Sequence, residues 1–222
     1  MWQENYQIYG HIRCKYTVLA DPKNTYVYTH VCMFQVGCVD ALILGGASVP
    51  QAALLSACHS GHVNVVQRLL MVEGMHLGVV NDQGSDCLML AAARGHGSGL
   101  LTRTLLALGM RVTGRQDLGG DNVLHHAARS GMGGAEAMSV LFESAEQDMV
   151  QGLCGCANNA GDIPLNVACR CGSESAVRVL LKAAPGTVNA REEGTGTTPL
   201  RLASSLGHNA VVKVLLRAGG SF

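Results

Sequence analysis

Pairs of large apolar residues return along the chain at Leu69-Leu70, Leu105-Leu106, Leu141-Phe142, Leu180-Leu181 and Leu215-Leu216. Around the last of them, Val211, Val212, Val214, Leu215 and Leu216 crowd one broad helical face. Each pair trails a glycine, and these glycines (Gly61, Gly95, Gly131, Gly172, Gly207) are spaced 34, 36, 41 and 35 residues apart. Ahead of each glycine lies a shorter run with small residues at its end, clearest in residues 198–208. There Thr198 caps a helix and Pro199 sits at the first turn, where a missing N–H does no harm. Ala203 and Ser204 allow close approach to neighbours, and Gly207 ends the helix. The pattern predicts two helices per unit followed by an extended connection. In the second and third units the apolar pair falls two residues later after its glycine, which predicts small insertions around residues 97–99 and 133–134.

Residues 198–208 resemble the ankyrin repeat, whose period is about 33 residues and whose signature is T-P-L-H-x-A followed by G-H. Residues 88–96, 124–131, 164–172 and, more weakly, 54–62 keep the same register. The resemblance covers residues 48–222 and implies an α-solenoid of about five repeats with short β-hairpin fingers between helix pairs. It places a polar residue three before each finger glycine: Asn81, Asp117, Asn158 and Glu193, whose side chains can bond the turning backbone. It implies protein–protein interaction through a concave face built from the fingers and the ends of the first helices. On that face it puts Arg94, Arg129 and Arg170, suited to carboxylates of an acidic partner segment. The finger positions add Asp82, Gln83, Leu118, Asp121, Asn159 and Asp162. Val188-Asn189 and Val80-Asn81 loosely match the family's asparagine hydroxylation sites. Residues 144–157 lengthen the exit from the third repeat and hold Gly152, Cys154, Gly155 and Cys156, which predicts a surface loop.

Residues 1–47 differ. All five tyrosines and the single tryptophan, Trp2, fall in the first 28 residues. Alternation over residues 6–19, the turn sequence Asp21-Pro22-Lys23-Asn24 and the β-branched, aromatic residues 25–31 predict a β-hairpin. Residues 32–44 predict a short helix ending at Gly45-Gly46-Ala47. The segment is either a cap on the first repeat or a docking arm using Trp2, Tyr6 and Tyr9. At the other end, residues 209–217 resemble an interior repeat, which predicts exposed apolar groups such as Ala210 or Val214. A contact with another chain is expected there, reaching Phe222.

The 222 residues are 48% hydrophobic and 14% charged, with 16 basic against 16 acidic side chains. That balance argues against a nucleic-acid or anionic-membrane surface. No apolar run reads as a membrane span or secretory leader, and nine cysteines at largely apolar positions suit a reducing, intracellular setting, cytoplasmic by preference. Two C-x-C pairs, Cys154/Cys156 and Cys169/Cys171, raise a zinc-dependent enzyme as an alternative. Cys169 replaces a helix-packing alanine and Cys171 faces the groove, so they are not expected to converge. His62, His96 and His208 occupy the family's G-H position, His125 its T-P-L-H position, and His126 no repeat role. No nucleophile, base and orienting group fall together. The expectation is a non-enzymatic binding module with no metal and no cofactor. It is read first as an accessory or scaffold subunit of a hetero-oligomeric assembly, with a free adaptor or inhibitor gripping an acidic peptide as the alternative.

Overall fold

The alternation of small and large apolar residues resolves into helix pairs. A computed structural model describes residues 36, 37, 39, 40, 49–94, 98–192 and 194–221. The hairpin expected over residues 6–31 lies outside them, as do Trp2, Tyr6, Tyr9, His96, Glu193 and Phe222. The helices are α1 (Ala52–Ser60), α2 (Val63–Leu69), α3 (Cys87–Ala92), α4 (Ser98–Ala107), α5 (Val123–Arg129), α6 (Met132–Ser144), α7 (Gln147–Gly155), α8 (Pro164–Arg170), α9 (Glu174–Ala183), α10 (Pro199–Ser205) and α11 (Asn209–Arg217). A 3₁₀ turn, Pro185–Asn189, follows α9. First helices stack in the order α1, α3, α5, α8, α10, and second helices in the order α2, α4, α6, α9, α11. One continuous apolar core runs between the two rows, from Val39 to Leu215. Residues 36, 37, 39 and 40 are helical. Val39 is buried against the first repeat, and Asp40 pairs with Arg68 of α2.

Local chemistry sets the helix ends. Thr198 Oγ1 accepts the Arg201 N–H at the start of α10, and Asp86 Oδ1 accepts the Met89 N–H, 2.9 Å away, at the start of α3. Gly207 takes a positive φ of 75°, and the following amide of His208 turns back to the Ala203 carbonyl. The third unit absorbs its two extra residues as additional helix: α6 begins directly after Gly131, whereas α9 and α11 start two residues after their glycines. Gly134 makes that start feasible, since a Cβ there would lie 1.8 Å from the Ala127 carbonyl oxygen.

Three expectations are corrected. Residues 144–157 do not form a loop: 147–155 are helix α7. Val150, Leu153 and Cys154, at helical spacing, bury one face in contact with α8 and α9. The fingers are turns rather than two-stranded hairpins, with a single isolated bridge, Val80 to Asp86, among the described residues. Asx side chains take up the amides a second strand would need. Asn81 Oδ1 accepts from Gln83 and Ser85, Asp117 Oδ1 from Gly119 and Asp121, and Asn158 Oδ1 from Ala160 and Asp162. Val214 is buried with Val211 and Leu215 on the core side of α11, and the exposed apolar groups of the last unit include Leu206, Ala210 and Leu216.

Candidate functional site

Each finger returns to its first helix through a residue that sits just before the cap, and two of these are aspartates. Asp121 lies eight residues before Arg129, the last residue of α5; Asp162 lies eight before Arg170, the last residue of α8. Arg129 Nη1 bonds Asp121 Oδ2 at 2.5 Å. Arg170 Nη2 reaches Asp162 Oδ1 at 2.8 Å, its Oδ2 at 3.0 Å, and Glu192 Oε1 at 2.9 Å. The carboxylates lie beneath, with side chains 11% and 9% exposed, while the guanidinium side chains are 45% and 44% exposed. Burial pushes the Asp121 carboxyl upward, but hydrogen bonds from Arg129 and Asn158 outweigh it and hold the group below its ordinary value. The Asp162 hydrogen bond raises the Arg170 pKa further, so that side chain stays charged.

Arg94 is half-buried and makes no ion pair among the described residues. It stands one position later than the other two arginines, in the register of Ser130 and Cys171, while Ala93 occupies theirs. The three arginines therefore do not form a single row. Asp121 and Asp162, expected as finger contacts for a partner, are instead buried under their arginines. Asp82, Gln83, Leu118 and Asn159 are exposed at the finger tips. Leu118 is 70% exposed, and its finger is tied to both neighbours. Its N–H donates to the Gln83 carbonyl, Asn159 Nδ2 donates to the Leu118 carbonyl, and Asn159 N donates to the Gly119 carbonyl. The eight-residue Asp-to-Arg interval, repeated in consecutive units, is the sequence signal for the paired arginines.

The histidines tie repeats together. His125 Nδ1 accepts the Asn122 N–H at 3.1 Å, and Nε2 lies 2.8 Å from the Asp162 carbonyl of the next repeat. That carbonyl can only accept, which assigns the ring proton to Nε2. Burial lowers the His125 pKa and favours this neutral form. His126 has a role after all: its Nε2 lies 2.9 Å from Asp117 Oδ2, at the base of the second finger. Asp117, Asp121 and His126 bring ligand atoms within 4.8 Å of one another. Their oxygens are already engaged by His126, Arg129, Asn158 and two backbone amides, so the group reads as a closed hydrogen-bond network. Cys154 and Cys169 are buried, which pushes both thiols up to about 12; Cys156 is half-buried and Cys171 exposed. Asn189, weighed as a hydroxylation site, holds the end of the last repeat, with Nδ2 donating to the Gly219 carbonyl and Oδ1 accepting the Ser221 N–H.

The family model for ankyrin repeats, in three copies, matches residues 54–151 and 141–221. The chain belongs to the ankyrin repeat family. No curated protein matches it at a significant level. Ankyrin repeats generally serve as protein-binding modules, and members of the family are typically not enzymes. In this ankyrin-repeat chain the half-exposed arginines end first helices, and the exposed Asp82, Gln83, Leu118 and Asn159 stand at finger tips. Among the described residues, no helix is long and apolar enough to cross a membrane.

Proposed function

We propose that this ankyrin-repeat protein binds a protein partner through its fingers and first-helix ends, with Arg129 and Arg170 gripping carboxylates of an acidic segment. The observation that carries this reading is the arrangement of those side chains. Arg129 is fixed at Nη1 by Asp121 and Arg170 at Nη2 by Asp162 and Glu192, and both side chains stay nearly half exposed. A side chain already held in place loses less conformational freedom on binding, so its ion pair with a partner contributes more. Leu118 supplies an apolar contact beside them, and Arg94 adds a cation one position out of register. The test is capture of partners by the wild type and by a variant carrying Arg94→Gln, Arg129→Gln and Arg170→Gln. Capture should be lost at unchanged helicity; undiminished capture would refute the assignment.

A second reading, an accessory or scaffold subunit, is favoured by the exposed Leu206, Ala210 and Leu216 of the last unit, apolar groups suited to a lasting interface. Native affinity capture with cross-linking separates the two. A stoichiometric assembly joined through the first 30 residues or α11 supports the subunit. Substoichiometric partners cross-linked beside Arg129 and Arg170 support the adaptor.

A further inference from the structure

Between α4 and the second finger, residues 110–116 carry no regular structure. Arg111, Thr113 and Arg115 line one cleft of about 510 Å³, facing Leu77, Gly78 and Asp86 from the preceding repeat junction. Val112, between them, packs toward the core. Alternate residues on opposite sides are the signature of an extended chain. The backbone N–H groups of residues 111–114 and the carbonyls of residues 111–116 have no hydrogen-bond partner among the described residues. The segment therefore leaves a run of backbone donors and acceptors open to pairing with another extended chain.

Its charge is equally unpartnered. Arg68, Arg103, Arg129, Arg170 and Arg178 each hold a carboxylate, whereas Arg111 and Arg115 hold none among the described residues. The one carboxylate in the cleft, Asp86, is buried and caps α3. Arg111 and Arg115 stand four residues apart, about 13 Å along an extended chain, the spacing of side chains four apart on a paired strand. The opposite wall offers Leu77, half-buried and apolar.

We propose that this cleft is a second binding site, which takes an extended acidic peptide by strand addition to residues 111–114 with its carboxylates on Arg111 and Arg115. None of its lining residues belongs to the Arg129 and Arg170 face, so the two sites are separable by mutation. Main-chain pairing supplies affinity in this mode and the arginines supply the selection for acidic side chains.

The test uses the full chain and a fluorescein-labelled peptide of alternating glutamate and valine, followed by fluorescence anisotropy. Saturable binding is expected, weakening with salt and falling at least ~10-fold in Arg111→Glu/Arg115→Glu. It should be unchanged in Arg178→Gln, an exposed arginine outside both faces. The milder Arg111→Gln/Arg115→Gln pair, checked for an unchanged melting midpoint, guards against a folding defect. Amides 111–114 should gain hydrogen-exchange protection with peptide bound. Absent saturable binding, or undiminished binding by both Arg111/Arg115 variants, overturns the site. Binding without protection of those amides overturns strand addition.

Discussion

Replacing Asn166 by leucine should stabilise the protein. Asn166 is 1% exposed on α8, and neither its Nδ2 nor its Oδ1 has a hydrogen-bond partner among the described residues. Its counterpart one repeat earlier is His125, whose longer side chain reaches the next repeat's backbone. The shorter asparagine makes no equivalent bond. A buried amide without partners costs about 1–3 kcal/mol, and leucine matches asparagine in branching and heavy-atom count while removing both polar atoms. A gain of about 2 kcal/mol follows, which for a chain of this size raises the melting midpoint by roughly 4–8 °C. Urea titration by circular dichroism should show a higher midpoint at unchanged slope. Asn122→Leu is the control, because that side chain accepts from Leu124 and His125 and donates to the Leu153 carbonyl. There the same exchange should destabilise. An unchanged or lower midpoint for Asn166→Leu would mean that the amide is satisfied, and would refute the reasoning.

Gly134→Ala should cost about 3 kcal/mol or more, because the new methyl meets the Ala127 carbonyl and helix α6 must shift off α5; a urea midpoint within error of wild type would contradict it. Stability should also fall in mild acid. Burial depresses the folded-state pKa of His125 below the ordinary 6.5, so the unfolded chain takes up the proton first. The contribution of His125 is complete above 6.5 and is lost as the pH falls through its folded value. Urea midpoints measured across that range should decline less steeply in His125→Asn than in the wild type.

The repeat skeleton was legible because its signals are local and recur. Gly207 and the Leu215-Leu216 pair report helix ends and core faces wherever they appear. What escaped depends on contacts between distant positions. Gly152 and Gly155 gave residues 144–157 the look of a loop, yet Val150, Leu153 and Cys154 find an apolar surface on α8 and α9 that outweighs the weak helix propensity of glycine. At the candidate site, the outward arginines Arg129 and Arg170 are legible from the repeat register, whereas Asp121 and Asp162 share the finger register and only the fold buries them beneath the arginines. Composition alone does not reveal which partner of an ion pair faces solvent. No sequence signal marks the cleft beside Arg111, because it joins two connections that carry no periodic pattern.

Helix α7 changes what a repeat means in this protein. Its Leu153 carbonyl receives the amide of Asn122 at the head of α5, and Gln151 Nε2 donates to the Ala183 carbonyl at the tail of α9. The third and fourth units are thus sewn together by a thread that neither owns. Cut-and-splice experiments that treat such chains as interchangeable beads will find these two inseparable: excising either one strands α7 without a seat, and the smallest block that can be transplanted spans both.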